Sequence, residues 1–177
     1  MPFTPYHFGP SGFLGLVFKK WIDLPVFVLA NVVVDVEVLI IKAFRLGWPI
    51  HRYAHTLLIG AAVGALWGII AYPLRPMFKK MMQLFCLPYK STLMMMVISG
   101  ILGVWLHVLI DGIYHFDMQI FWPNKTISLY RLLHTYIRQE HIKIMCLAFF
   151  VPAIILYILT VIKSAKYSSR NRMDGQI

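Results

Sequence analysis

Four apolar runs, each close to the roughly twenty residues needed to cross the hydrocarbon core of a bilayer, constrain this chain more than any other feature. They cover residues 24–44, 55–74, 92–114 and 142–162. A chain of 177 residues that spends so much of its length this way has room for one domain, with lipid as its main solvent. Composition agrees. Hydrophobic residues make up 59% and charged residues 14%, against about 45–50% and about 25% in soluble domains. A soluble enzyme, a disordered chain and a disulfide-stapled secreted module are excluded. Cys86 and Cys146 sit in or beside apolar runs without metal-finger or redox spacing and read as ordinary packing residues.

A shorter apolar run, residues 13–18, follows Gly9-Pro10-Ser11-Gly12 and ends at Lys19-Lys20. Residues 8–18 and the segment from Trp21 onward therefore predict a helical hairpin with one short and one long arm. The expected fold is an all-α, polytopic membrane helix bundle, with four long spans plus a short N-terminal helix. It forms a single transmembrane helical domain over residues 1–163, followed by a basic polar tail over 164–177. The first residues, MPFTPYHFGPSG, lack the basic start and small-residue cleavage site of a secretory signal.

Lys and Arg number 17 and Asp and Glu 7, giving a formal charge of +10. The basic residues flank apolar segments, as membrane anchors do, so the expected partner is the lipid bilayer and not nucleic acid. They divide between two ends. Lys19, Lys20, Arg75, Lys79, Lys80, Lys90, Lys163, Lys166, Arg170 and Arg172 gather at one; Lys42, Arg45, Arg52, Lys125, Arg131, Arg138 and Lys143 gather at the other. The positive-inside rule assigns the richer end, with the C-terminus, to the cytoplasm. Trp21, Trp48 and Trp122 fall near span ends, where interfacial aromatics belong.

Ionisable residues within spans cost roughly 2.5–3.5 kcal/mol each at the bilayer centre on the insertion scale. This chain places Asp35 and Glu37 in the first long run and His107 and Asp111 in the third. His51 and His55 stand at the start of the second run, and His115 at the end of the third. On a helix, the four-residue steps His51–His55 and His107–Asp111–His115 put each set on one face. Asp35 and Glu37 point about 200° apart. Asp35 is therefore the expected ligand, and Glu37 a supporting group or base.

Depth brings these groups together. From Lys20 to Asp35, Lys90 to His107 and Arg75 back to His55 the helical rise is ~22, ~25 and ~30 Å. All three reach a similar level near the face opposite the richer basic end. The short arm returns His7 to that face. His7, Asp35, His51, His55, His107, Asp111 and His115 are the candidate metal ligands, and Glu37 and Asp111 the candidate proton carriers. Imidazole and carboxylate ligands suit Zn²⁺, with Mn²⁺ or Fe²⁺ as alternatives, and a divalent ion removes the cost of burying the acids. Other polar residues read differently. His134 and His141 are expected at the surface, Asp117 at the interface, and Arg52 against a phosphate or lipid headgroup. Gly60, Gly64 and Gly68 predict close internal packing of their helix, and Met94 to Met96 are apolar filler.

Several segments resemble one known family. MPFTPYHFGP, the VDVE around Asp35, HRYAHT over residues 51–56, HVLIDGIYHFD over 107–117 and FWP over 121–123 are similar to segments of the YdjM-like proteins. These are bacterial inner-membrane proteins identified as metal-dependent hydrolases. The likeness spans roughly residues 1–123. Where the family often shows Pro-Asp-x-Asp this chain has Val34-Asp35-Val36-Glu37, so Asp35 is the acid that transfers. The resemblance implies a multi-pass inner-membrane protein and a hydrolase.

With the site at that depth, hydrolysis at the bilayer surface is the expected activity, and a lipid or lipid-linked phosphoester the expected substrate class. A metal-ion or proton transporter is the alternative, since buried Asp and His residues also mark conduction paths. The residues 63–70 and 93–102 do not continue such a path. A structural protein with a polar packing layer is the third reading.

Overall fold

The computed structural model describes residues 4–47, 53–124 and 126–174. Its regular structure is helical throughout. A short 3-10 turn, Thr4–His7, leads into α1 (Phe8–Val17) and α2 (Leu24–Ala43). Then follow α3 (Leu57–Ala71), α4 (Arg75–Leu84), α5 (Leu93–Tyr114), α6 (Leu129–Leu133), α7 (Gln139–Ala148) and α8 (Phe150–Asp174). Four helical stretches are long and apolar enough to cross a membrane: Leu24–Ala43, Leu57–Leu84, Leu93–Tyr114 and Gln139–Ala165. With the short α1, they make the expected polytopic bundle.

Local chemistry sets the helix ends. Asp23 caps α2 by accepting the Val26 N–H at 3.0 Å, with Pro25 in the first turn where its missing N–H costs nothing. Thr56 and Thr92 cap α3 and α5 through the N–H groups of Ile59 and Met95, each at 3.2 Å. α2 and α4 both close on a left-handed residue: Arg45 has φ 50° and Cys86 φ 55°. Leu46 N–H then reaches the Ile41 carbonyl at 3.2 Å, and Leu87 N–H the Met82 carbonyl at 2.9 Å. These backward bonds satisfy carbonyls that the helix leaves open.

Two boundaries differ from the sequence expectation. The second span runs past Leu74 through a 3-10 turn into α4, because Phe78 and Met82 turn inward while Lys79 and Lys80 face out. That amphipathic pattern is helical without being uniformly apolar. The last span begins earlier, at Gln139, and its helix continues through Asp174 into the residues expected to form the tail.

Close packing surrounds α5. α3 meets it through glycines: a Cβ at Gly64 would lie 2.5 Å from the Gly100 carbonyl oxygen, and one at Gly68 2.5 Å from that of Met96. α2 meets it at Gly103, whose added Cβ would collide with the Phe27 carbonyl. Ala30, Val34, Val104 and Val108 fill the space between α2 and α5. Met118 and Ile120, from the loop after α5, are buried against them, and the Ile120 carbonyl accepts the Leu57 N–H at 2.8 Å. The internal role expected for the Gly60–Gly64–Gly68 stripe is what the structure shows. Outward faces stay apolar: Leu39, Leu66, Ile69, Val151 and Ile155 are exposed, as lipid-facing side chains would be.

At the richer basic end, Asp23 also joins two other elements. Its backbone N–H donates to Ser99 Oγ at 2.6 Å, and Tyr89 Oη donates to its carboxylate at 2.7 Å. Burial and the adjacent Asp23 carboxylate raise the Tyr89 phenol above its ordinary pKa.

Candidate metal centre

Toward the opposite end, four buried side chains from three segments converge. Asp35 lies in α2, about 16 Å of helical rise beyond Leu24, and His107 and Asp111 share one face of α5. His55 comes from the turn immediately before α3, where the Thr56 cap fixes the chain direction. One ligand atom from each of Asp35, His55, His107 and Asp111 lies within 4.8 Å of all the others.

The distances are informative. His107 Nε2 lies 3.4 Å from Asp35 Oδ1 and 3.2 Å from Asp111 Oδ2, and His55 Nε2 lies 3.6 Å from Asp35 Oδ1. A tetrahedron with bonds of about 2.0–2.1 Å, as zinc forms to nitrogen and oxygen, has edges of about 3.3–3.4 Å. These three spacings bracket that edge, and the whole group of four ligand atoms lies within 4.8 Å. A hydrogen-bond network explains them less well, because one imidazole nitrogen carries at most one proton. The buried His107 Nε2 faces two carboxylates and forms no well-aligned hydrogen bond with either. The donor set therefore fits a divalent cation: this cluster can hold a metal ion.

His7 completes one side without belonging to that four-residue group. Its ring stacks on His107 with centroids 4.2 Å apart and planes 18° off parallel. Its Nε2 lies 3.1 Å from Asp111 Oδ1. Ser11, buried one turn along α1, donates its hydroxyl to the His7 carbonyl at 2.7 Å and holds the turn that aims the ring. In the sequence, the four-residue step from His7 to Ser11 within an apolar helix is the signal for this contact.

Glu37 stands behind His55. Its Oε2 lies 3.1 Å from His55 Nδ1, and its carboxylate accepts the backbone N–H groups of Tyr53 and Ala54 at 3.2–3.3 Å. Asp35 and Glu37 approach opposite nitrogens of the same imidazole: Asp35 Oδ1 lies 3.6 Å from Nε2 and Glu37 Oε2 3.1 Å from Nδ1. A carboxylate on Nδ1 fixes the tautomer that leaves Nε2 able to bind a metal. Replacing Glu37 with Gln is expected to weaken metal affinity by about 10–100-fold while the fold survives. A chelator-competition titration of the purified variant measures this, and an unchanged affinity would remove Glu37 from the site.

Two helical-face expectations require correction. α3 begins at Leu57, so His55 is positioned by a turn and not by a helix shared with His51. His51, Arg52 and Trp48 lie outside the described residues. α5 ends at Tyr114, leaving His115 in extended conformation with φ −106° and ψ 127°. It therefore leaves the His107–Asp111 stripe and packs against the Tyr114 ring, outside the four-residue group. His134, His141 and Asp117 are exposed, as expected.

Beside the centre, α2 and the start of α3 flank a cavity of about 590 Å³. Val36, Ile40, Leu46 and Val63 line its apolar wall, and Glu37, Tyr53 and Ala54 its inner edge. Comparisons with protein-family models, curated proteins and solved structures give no match. What the fold and site define is a multi-pass helical membrane protein with a buried His/Asp cluster able to hold a metal ion.

Proposed function

We propose that this chain is a membrane-embedded, metal-dependent hydrolase of the YdjM-like family, acting at the bilayer surface on a lipid or lipid-linked phosphoester. The observation that supports the reading is the convergence of Asp35, His55, His107 and Asp111, whose ligand atoms lie within 4.8 Å of one another, with Glu37 fixed behind His55. Zinc suits the two-imidazole, two-carboxylate donor set best; manganese and iron are the alternatives. A divalent cation held there would supply a nucleophile at neutral pH by acidifying a water in a coordination position that the protein ligands leave open.

The protein's own groups do the rest. Both Glu37 oxygens are engaged by His55 and by backbone amides, so Glu37 positions His55. The Asp111 carboxylate lies between His107 and His7, so a proton it takes has the His7 imidazole 3.1 Å away to receive it. The cavity flanked by α2 and α3 offers an apolar chain a place beside Glu37 and Ala54, which supports a substrate with a lipid tail.

The test is hydrolysis of a chromogenic phosphodiester and of phospholipid in mixed micelles. Activity should vanish with chelator and return with Zn²⁺ or Mn²⁺. Metal-independent turnover, or ion flux into liposomes without hydrolysis, would replace this reading with another.

In this reading the protein sits in a bacterial inner membrane with its richer basic end and C-terminus in the cytoplasm. Cys86 is exposed at that end, and Cys146 is buried. A membrane-impermeant maleimide should label Cys86 in inverted vesicles and not in intact spheroplasts. The reverse labelling would invert the topology.

A further inference from the structure

At the end of the bundle remote from the His–Asp cluster, the turn after α1 packs against α8. Lys19 Nζ donates to Thr160 Oγ1 at 2.8 Å. Lys19, Thr160, Lys163 and Ser164 form the polar side of a cavity of about 520 Å³, and none of the described residues lining it is acidic. One helical turn inward, Leu16 and Tyr157 line a second cavity of about 490 Å³, together with Leu24, Val28 and Met81. Leu87 lines the inner space and the next residue, Pro88, the outer one; Tyr157 and Leu156, consecutive in α8, divide between them in the same way.

Two ammonium groups facing one cavity without a carboxylate repel each other. Burial, together with the nearby Lys163 and Lys20 charges, lowers the Lys19 pKa from its ordinary value. Thr160 occupies one of the three Lys19 donors, leaving two for an anion. We propose that the two cavities together hold one anionic phospholipid, its phosphate between Lys19 and Lys163 and an acyl chain in the apolar space beneath. The bilayer supplies this ligand directly, and basic pockets between membrane helices suit such headgroups. The chain in the inner cavity accounts for the apolar wall, which a free phosphate would leave unused. This site is separate from the metal centre and does not depend on it.

The experiment reconstitutes the protein in phosphatidylcholine nanodiscs doped with phosphatidylglycerol and quantifies retained lipid by native mass spectrometry. The wild type should retain phosphatidylglycerol over phosphatidylcholine by about tenfold or more. The double variant Lys19→Gln, Lys163→Gln should lose that preference, whereas Lys42→Gln, Arg45→Gln, with the same change in net charge, should keep it. Val28→Trp, which fills the inner cavity, should reduce retention while both lysines remain. Equal retention of the two lipids by the wild type would overturn the proposal. So would an unchanged preference in the double lysine variant, or displacement of the lipid by inorganic phosphate with no effect of Val28→Trp.

Discussion

His107→Ala protein, purified in detergent, is expected to carry less than about a tenth of the metal bound by the wild type, itself about one ion per chain. Asp35→Ala should do the same. His107 is the hinge of the cluster: its Nε2 approaches both carboxylates, at 3.4 and 3.2 Å. Without it the group keeps three of its four ligand atoms and loses one of its two imidazole nitrogens, the donors for which zinc-like ions have the stronger preference. His134→Ala provides the control, since His134 is an exposed imidazole far along the chain. Elemental analysis of the three variants beside the wild type decides the matter. Equal metal in all four samples would mean that the ion binds elsewhere.

The second large effect concerns the bundle itself. Gly100→Ala should lower the melting temperature by about 5–10 °C, corresponding to roughly 2–3 kcal/mol. A Cβ there has no room: it would meet the Gly64 carbonyl oxygen, which is backbone and has nowhere to turn. α3 and α5 would have to separate along their length, loosening contacts from Gly60 to Gly68. The turn bearing His55 precedes α3, so the displacement should also weaken metal binding at a distance. Gly12→Ala is the contrast. Its added Cβ would meet only the Ala153 Cβ at 4.0 Å, an ordinary contact, and should leave stability unchanged or raise it by up to about 1 kcal/mol. Similar melting temperatures for both variants would contradict the close glycine packing.

The sequence made the spans legible because burial in lipid and burial in protein both select apolar side chains, and long runs of them leave little else to form. It also made most of the cluster legible. An acid or imidazole within such a run carries a desolvation cost that something must offset, and counting helical rise put Asp35, His55 and His107 at similar depth. Helix termini were harder to read. His115 continues the four-residue step from His107 and Asp111, yet α5 stops one residue earlier and the chain turns away. His55 reaches the cluster from a capped turn, where helical spacing from His51 carries no information. Glu37 was placed behind Asp35 by the 200° argument. Its bonds to His55 and to the amides of Tyr53 and Ala54 depend on how α2 and the 53–56 turn pack, a tertiary relation that no local pattern encodes. α4 escaped because an amphipathic helix with Lys79 and Lys80 on one face looks like a basic loop to a search for apolar runs.

Metal-edge X-ray absorption of the wild-type protein tests the central claim most directly. The account predicts a divalent ion with two imidazole nitrogens and carboxylate oxygens at about 2.0–2.2 Å, and no sulfur neighbour. A spectrum showing thiolate ligation, or an ion surrounded by water oxygens alone, would contradict it.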